Sequence, residues 1–497
     1  MVFALHAGAL WRDEINTVRF AEMPLGSIWA KLQYDTMPLG APLLLRAAAA
    51  AGLGSDAGLR ACGALCGLGL LAAMAIAGFV LSRRPPLLVL ALAGLSPIVL
   101  RYGDSIRPFG IGALFLVAML ACLSRARFGW AAACAVLAVQ CSYPNLVLVA
   151  AAGLAAALVG LRRSGVRGSI APAAIVLAAG ASLLPYAGPL QRSRAWAEVA
   201  QLPATPADIL EVAHYAFGGG LVGVAWLWLL LPLVCLTRGL FFRTSARDHD
   251  STLFAGTLLV AAPCAFLLLM LGMRVPTQPW YYVPLIALCA PCLEAIVAAA
   301  ADRPRWRWAR LGGAAVLAGL LALAAWNTAH TRQTNLDLIA RELERQAGPQ
   351  DLVVLDPWYC GITFRRYYRG AARDLSLPPL EDLTIHRYDL LKAQVAAERP
   401  LDPVLAAIAS TLRSGNQVWL VSGWDLRDPG PALEPLPPAP HGLAGWSSLP
   451  YLHVWESQLR HYLVEHAGTG SRVAVEGEGR VSEFEHQYVI VVRGWRG

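Results

Sequence analysis

An adjacent pair of carboxylates, Asp13 and Glu14, follows an apolar N-terminal stretch. Beside a membrane, such a carboxylate can accept the proton of a hydroxyl group that attacks a lipid-borne leaving group. Asp35, which precedes a Pro-Leu step in the same segment, adds a third carboxylate. An Asp-Glu pair alone also fits a solvated helix flank, so both interpretations stay open on these residues.

Arginines occupy the loop around Asp104, where Arg101 lies on one side and Arg107 on the other. A guanidinium binds a phosphodiester through paired hydrogen bonds and stabilises the phosphate as it leaves. Either arginine can instead be an interfacial residue that reports membrane topology. We expect Arg107, which directly precedes an apolar run, to bind phosphate.

Two later segments add further candidate binding residues. Arg274 is followed by Tyr281 and Tyr282 in a Pro-rich loop. These aromatic rings could stack on a sugar or anchor the chain at the membrane interface. The long loop 191–219 contains His214, and long loops of this kind often close over a ligand. We predict that these four residues take part in substrate binding.

Metal binding is left open by the sequence. The carboxylates of Asp13, Glu14, Asp35 and Asp104 are oxygen ligands of the kind that a divalent cation uses. Their spacing does not require a cation, so no metal site and no certain cofactor is predicted. All the cysteines except Cys360 lie in or at the ends of apolar runs, where we interpret them as small core residues.

The composition indicates that membrane helices position these residues. Of the 497 residues, 57% are hydrophobic and 15% charged, whereas globular domains contain about a quarter charged residues. Charge-free runs long enough to cross about 30 Å of hydrocarbon recur up to residue 327. We predict about ten spanning helices, near 59–81, 85–100, 107–123, 128–143, 145–161, 169–190, 220–237, 252–273, 280–300 and 310–327.

Arginine placement predicts the orientation of these helices. Fourteen arginines fall in the loops after the first, third, fifth, seventh and ninth predicted helices. By the positive-inside rule these loops are cytoplasmic. The N-terminal segment, loop 191–219 and the C-terminal region then lie outside. The net charge of +8 follows from this topology, so we predict no nucleic-acid partner.

The N-terminus is unusual for this topology. Residues 1–10 are apolar but too short to span the bilayer. Either a first helix begins upstream of Met1, or the segment only enters the bilayer surface.

After residue 327 the composition becomes charged and Pro-rich, which predicts a second domain over 328–497 after a transmembrane domain over 1–327. Segments 351–356, 418–423 and 488–492 read as strands, with a helical pattern at 387–413. We predict a small α/β accessory domain that helps to choose the acceptor. No catalytic residue is assigned to it, because it shows no phosphate-binding loop.

The order of these motifs resembles the GT-C glycosyltransferases, most closely the dolichyl-phosphate-mannose protein mannosyltransferase-like group that includes bacterial aminoarabinose transferases. Its members show an aromatic residue and Asp-Glu after the first helix, then an Asp before Pro-Leu, then an Arg opening the next helix. The matching residues here are Trp11, Asp13, Glu14, Asp35 and Arg60. Later matches lie around Asp104 and Arg107 and in the loop with Arg274, Tyr281 and Tyr282, although Phe109 replaces the usual tyrosine.

The resemblance implies a polytopic helical GT-C-like fold of about ten or eleven membrane helices with external juxtamembrane helices. It implies inverting transfer of a sugar from a polyprenyl-phosphate donor to a lipid, glycan or protein acceptor, at the outer face of a bacterial inner membrane. Asp13 carries over as the catalytic base. A lipid-linked saccharide flippase and a non-catalytic membrane scaffold are the alternatives. A transporter should show internal repeats, and the sequence shows no duplication.

Overall fold

The structure is a computed structural model that describes residues 2–35, 37–197, 205–241, 246–273, 277–300, 304–425, 448–477 and 479–496. The chain packs into two compact units. The first, here called the membrane unit, comprises Met1–Ala4, Thr36–Gly188 and Ala204–His330. The second, the α/β unit, comprises Leu5–Asp35, Pro189–Pro203 and Thr331–Gly497. The α/β unit thus includes N-terminal residues, whereas the sequence analysis divided the chain by one cut after residue 327.

The first helices in chain order are α1 (Val2–His6), α2 (Arg12–Glu22), α3 (Leu25–Lys31), α4 (Gly40–Ala48), α5 (Asp56–Ser82), α6 (Leu87–Leu92), α7 (Pro97–Gly103), α8 (Pro108–Ser124), α9 (Phe128–Cys141), α10 (Asn145–Ser164) and α11 (Val166–Ala181). They are followed by α12 (Ala187–Ala197), α13 (Pro206–Gly218), α14 (Val222–Phe241), α15 (Ala246–Met273), α16 (Val283–Ala300), α17 (Pro304–Ala329), α18 (Leu336–Gln346), α19 (Cys360–Tyr367), α20 (Tyr388–Ala396), α21 (Asp402–Arg413) and α22 (Leu449–His466).

Six helical segments of the described chain are long and apolar enough to cross a membrane. They are Asp56–Ser82, Asn145–Ser164, Val166–Ala195, His249–Met273, Pro279–Ala300 and Trp306–Ala329. Two bent pairs raise the number to eight, namely α7 with α8 at 105° and α13 with the start of α14 at 92°. The chain is therefore a polytopic helical membrane protein, as predicted, and by length and composition its described residues contain six to eight candidate spans where about ten were expected.

The predicted span over 85–100 is wrong. This stretch forms two short helices, α6 and α7, separated by a turn. Ser96 caps α7 by accepting a hydrogen bond from the Val99 backbone, and Pro97 occupies the first helical position, an arrangement typical of a helix start. By contrast, the predicted break within 128–161 is confirmed, because α9 ends at Cys141 and α10 begins at Asn145.

Helix α16 occupies the interior of the membrane unit. Within the most apolar stretch of this span, 83% is buried inside the protein, whereas the corresponding share is 22% to 44% for the other five candidate spans. It packs against α5, α8, α14 and α15. A helix that is apolar on all sides can be enclosed in this way, so α16 and the turn before it hold a fixed position within this unit.

The strands are β1 (Thr331–Arg332), β2 (Leu352–Leu355), β3 (Arg373–Ser376), β4 (Val418–Ser422), β5 (Ala467–Val473), β6 (Arg480–Val481) and β7 (Tyr488–Trp495). Five of them form a sheet in the order β3-β2-β4-β7-β5, in which β2 is parallel to β3 and β4. Strand β7 is antiparallel to β4 and β5, and β1 pairs with β6 separately. The three predicted strands are confirmed as β2, β4 and β7.

The core of the α/β unit lies where α18 and α19 cover the sheet. Leu336, Leu343, Val353 and Phe364 are fully buried there. Strands β2 and β4 are buried along their whole length, as expected for parallel strands covered on both faces. The predicted loop 429–440 lies outside the described residues.

Candidate functional site

The predicted carboxylates of the N-terminal segment lie together in the α/β unit. Asp13 and Glu14 occupy the first turn of α2, where the helix dipole favours negative charge. The Asp13 side chain is 13% exposed and can still be reached from solvent. Glu14 is fully buried, and its carboxylate accepts a hydrogen bond from the Trp11 backbone N–H at 3.4 Å. Glu14 therefore caps the start of α2.

Asp35 is connected to α2 through one amide side chain. Asn16 donates from Nδ2 to Asp35 Oδ2 at 3.3 Å, and both residues are buried. Asn16 is one helical turn beyond Asp13, so both face the same side of α2. The structure thus brings Asp13 and Asp35 to one region of the α/β unit.

A histidine that the sequence analysis did not identify completes this group. His386 lies in the turn before α20, and its Nε2 is 3.7 Å from Asp13 Oδ1. Its backbone N–H donates to Asn16 Oδ1 at 3.0 Å across 370 residues of sequence. We call Asp13, Asn16, Asp35 and His386 the acidic cluster. No spacing rule could have found His386, because the contact exists only after folding.

Arg12 anchors α2 to the C-terminal segments of the same unit. Its guanidinium donates to the Phe484 carbonyl at 2.9 Å and lies 4.1 Å from the centre of the Tyr359 ring. Glu485, fully buried, accepts from the Thr363 hydroxyl at 2.9 Å. Burial raises the pKa of Glu485 to about 7, although Arg12 and the Thr363 hydroxyl oppose the shift. Arg12 therefore fixes the position of the first turn of α2, which carries Asp13 and Glu14.

The buried Glu485 carboxyl predicts a pH dependence of stability. Because its folded-state pKa is above the usual carboxyl value, folding favours the protonated form. Its contribution to stability is present below about pH 4.5 and is lost as the pH rises through about 7. Glu485→Gln keeps the shape of the side chain and an acceptor for the Thr363 hydroxyl but cannot ionise. We expect the unfolding free energy of this variant to decrease by about 3 kcal/mol less than that of wild type as the pH rises across this range.

Thermal unfolding in detergent between pH 4.5 and 8 measures this change. Burial raises the pKa of Asp356 to about 7 as well, so this carboxyl also makes the protein less stable as the pH rises. The pH dependence of stability should therefore be smaller in Glu485→Gln than in wild type but should not disappear. Glu465→Gln, at an exposed site on α22, is the control and should keep the wild-type slope. Equal slopes in wild type and Glu485→Gln would contradict the prediction.

In the membrane unit, two of the predicted loops meet. The ring of Phe109, at the start of α8, is 5.7 Å from that of Tyr281, and the Arg107 guanidinium is 5.7 Å from the Phe109 ring centre. Tyr102 on α7 contacts Trp280 with ring centres 5.2 Å apart. We call these five residues the aromatic–arginine cluster. The loop before α8 and the turn before α16 are therefore in contact.

Asp104 and Arg60 lie in the region where α5 contacts the loop between α7 and α8. Glycines at positions 63 and 67 of α5 face the loop after α7, where an added Cβ at Gly63 would overlap the Asp104 carbonyl. At Gly67 it would overlap the Asp104 carboxylate. Arg60 is three residues before Gly63 and so shares its helix face; Arg60 and Arg107 are both buried. Two glycines thus allow α5 to approach the loop between α7 and α8.

We expect Gly63→Ala to destabilise the protein by about 1–3 kcal/mol, because its methyl group meets backbone that cannot rotate away. Gly69→Ala on the same helix is the control, since its Cβ would lie 3.5 Å from Leu114, an ordinary contact. Both changes gain the same helix propensity, so their difference measures the overlap. Equal thermal unfolding midpoints for the two variants in detergent would contradict this account.

The remaining predicted residues have separate positions in the membrane unit. The Tyr282 hydroxyl accepts from Thr277 at 3.0 Å and donates to the Ile209 carbonyl at 3.0 Å, which joins the turn before α16 to α13. His214 lies half-buried on α13, which packs against that turn. Arg274 lies outside the described residues. Tyr282 is thus engaged in a structural contact, while Tyr281 belongs to the aromatic–arginine cluster.

A metal centre is not evident in the part of the chain that the structure describes. Within those ranges no group of three or more His, Cys, Asp or Glu side chains has the geometry to hold a metal ion.

Comparison with known proteins identifies the fold. No protein-family model matches the sequence, and no curated protein matches it significantly. The crystal structure of ArnT from Cupriavidus metallidurans bound to undecaprenyl phosphate is similar to this chain, with a TM-score of 0.51 and 13% sequence identity. The match covers 99% of this chain and 96% of that one. The chain therefore shares the fold of that protein along nearly its whole length, in agreement with the fold that the resemblance of its motifs implied.

Proposed function

We propose that the chain is a membrane glycosyltransferase that moves a sugar from a polyprenyl-phosphate donor to a lipid, glycan or protein acceptor with inversion. The observation that carries this proposal is the shared fold: 99% of the chain superposes on a protein solved with undecaprenyl phosphate bound. Since one fold can host several activities, the proposal also depends on the residues of the acidic and aromatic–arginine clusters.

Asp13 is the proposed general base. The acceptor hydroxyl attacks the anomeric carbon, its proton passes to the Asp13 carboxylate, and the bond from the anomeric carbon to the phosphate oxygen breaks. The polyprenyl phosphate leaves with the bonding electron pair. Asp13 suits this role because its side chain is largely buried but reachable and lies in the first turn of α2. Glu14 supports it as the cap of that helix.

Arg107 is the proposed phosphate ligand. It directly precedes α8, so a bound anion there would also gain from the positive end of the helix dipole. Tyr281 shapes the same cluster through Phe109. We assign supporting roles in substrate binding to the other predicted residues, namely Arg60, Asp35, Asp104, Arg274, Tyr282 and His214.

In this proposal the reaction takes place on the outer face of a bacterial inner membrane, which the distribution of arginines supports. The N-terminal segment with Asp13 and the C-terminal region then lie outside the cytoplasm. Accessibility of single cysteines at Asp402 and Arg125 to a membrane-impermeant thiol reagent, in a cysteine-free background, tests this orientation. Labelling from outside is expected at position 402 alone.

The activity is tested with purified protein, polyprenyl-phosphate sugars of several kinds, and lipid, glycan and peptide acceptors. Formation of a glycosylated acceptor with release of polyprenyl phosphate is expected, and the anomeric configuration should be inverted. A lipid-linked saccharide flippase would instead move the donor across vesicle membranes and leave it intact. That result, with no transfer to any acceptor, would overturn the proposal.

A further inference from the structure

We propose that His386, supplied by the C-terminal region, is a positioning residue that pairs with Asp13 and tunes it as the base for sugar transfer. This inference rests on the proposed function, and it gives the α/β accessory region a direct part in the reaction. It assigns a role to a residue that neither the sequence motifs nor the shared fold points to.

The pair has the geometry of an ion pair that is partly shielded from water. His386 Nε2 lies 3.7 Å from Asp13 Oδ1, and each side chain is 13% exposed. At such exposure the two groups interact more strongly than on an open surface, because less water screens them. The exposed part of the histidine lies elsewhere on its side chain, because Nε2 itself is buried.

His386 is held in place through both its backbone and its ring. The His386 backbone N–H donates to Asn16 Oδ1 at 3.0 Å, and Asn16 lies on the same helix as Asp13. On the other side, the rings of Trp358 and Tyr388 contact the imidazole edge-on, with ring centres 6.4 and 5.8 Å away. Because the ring is already restrained in this position, pairing with Asp13 costs it little further rotational freedom.

The turn that carries His386 is itself fixed by its neighbour. The Arg387 guanidinium forms ion pairs with Asp382 and Asp389, each at 2.7 Å. It also lies 4.8 Å from the centre of the Tyr34 ring, next to Asp35. The turn thus contacts α2 and the segment before Asp35, so its position is coupled to the acidic cluster.

Other charged groups around the pair bear on its protonation. Arg12 Nε is also 3.7 Å from Asp13 Oδ1, so two cationic groups approach the same oxygen when the imidazole is protonated. The titratable and charged groups on the elements around the pair are Arg12, Glu14, Asp35, Asp356, Tyr359, Asp382, Arg387, Tyr388, Asp389 and Glu485. Among them, burial raises the pKa of Asp356 and of Glu485 to about 7.

The consequence for catalysis follows from charge. An imidazolium beside Asp13 favours the ionised carboxylate, which is the form that accepts the acceptor proton. An uncharged replacement leaves Asp13 easier to protonate. Activity should then fall off at a higher pH on the acidic side, by about one pH unit, since a single nearby opposite charge shifts titration by about 1–3 units.

The pairing can be tested without any turnover. We expect the ¹³C-labelled imidazole signal of His386, assigned with His386→Gln, to titrate at lower pH in Asp13→Asn than in wild type. Glu485→Gln and Asp356→Asn, recorded alongside, separate the effect of those buried carboxyls from that of Asp13. A His386 titration that does not move in Asp13→Asn overturns the pairing.

The catalytic role is tested by transfer kinetics across pH. We expect His386→Gln to lower kcat by about 10- to 100-fold with KM within about threefold of wild type, and to move the acidic limb upward by about one unit. Added imidazole should restore part of the activity of His386→Ala, which a purely structural role would not allow. His453→Gln, at an exposed histidine of α22, is the control and should match wild type.

The outcomes separate the two proposals. Active wild type with an unchanged His386→Gln profile and no imidazole rescue overturns the role of His386 and leaves the glycosyltransferase proposal standing. Wild type that transfers no sugar from any donor overturns the proposed function, and the imidazole titration still decides whether the pair exists.

Discussion

Asp13→Asn is expected to lower the rate of sugar transfer by about 10²- to 10⁴-fold, because an amide cannot take up the proton that the acceptor hydroxyl releases. The substitution keeps the size of the side chain beside Arg12 and His386, so the donor KM should change little. Initial rates with saturating donor and acceptor measure the effect, and thermal unfolding in detergent verifies that the variant is folded.

A matched control separates loss of the base from loss of a negative charge. Asp402 opens α21 and pairs with Arg399 at 2.8 Å, with both side chains well exposed. Asp402→Asn therefore removes a carboxylate from the same unit and should transfer sugar at the wild-type rate. If Asp13→Asn and Asp13→Ala both retain transfer within about threefold, the base must be another group and the mechanism fails.

The fold was largely predictable because membrane helices leave a strong mark on composition. Uninterrupted apolar runs marked α5, α10, α15 and α17, since the hydrocarbon region requires about twenty apolar residues in each span. The exception at 85–100 had a local cause. Ser96 and Pro97 begin a new helix there, and an apolar run shows hydropathy without showing where a helix restarts.

The candidate site was predictable only where it is local in sequence. Asp13, Glu14 and Asp35 fall within one short segment and were found from their order. The role of Glu14 as a helix cap required coordinates, since the same Asp-Glu pair can present either carboxylate. In the membrane unit, Arg107 and Tyr281 were both named, but their connection through Phe109 depends on tertiary packing.

The contacts that sequence reasoning missed are long-range and polar. Arg12 reaches the Phe484 carbonyl, and His386 reaches Asn16. Hydrophobic periodicity says which face of an element is buried, but not which polar group meets another across several hundred residues. For this reason the C-terminal region was interpreted as an accessory domain that helps to choose the acceptor, and no residue of the acidic cluster was sought in it.

Arg107→Gln is expected to reduce kcat/KM for the donor by about 10²- to 10³-fold, the usual cost of removing a group that stabilises developing negative charge. The reason lies in the reaction itself. The donor is a phosphodiester with one negative charge, whereas the leaving polyprenyl phosphate carries close to two. A guanidinium beside that phosphate therefore interacts more strongly as the bond breaks, and kcat should fall along with the rise in KM.

Arg125→Gln is the appropriate control, because Arg107 and Arg125 flank the two ends of the same helix, α8, and only the first lies in the aromatic–arginine cluster. Arg107→Lys should recover part of the activity, since lysine keeps the charge but cannot bind phosphate through two parallel donors. Loss of the thermal stabilisation that added polyprenyl phosphate gives to wild type measures binding separately from turnover. Arg107→Gln with kcat/KM within about threefold of the Arg125→Gln value would show that the phosphate is bound by other residues.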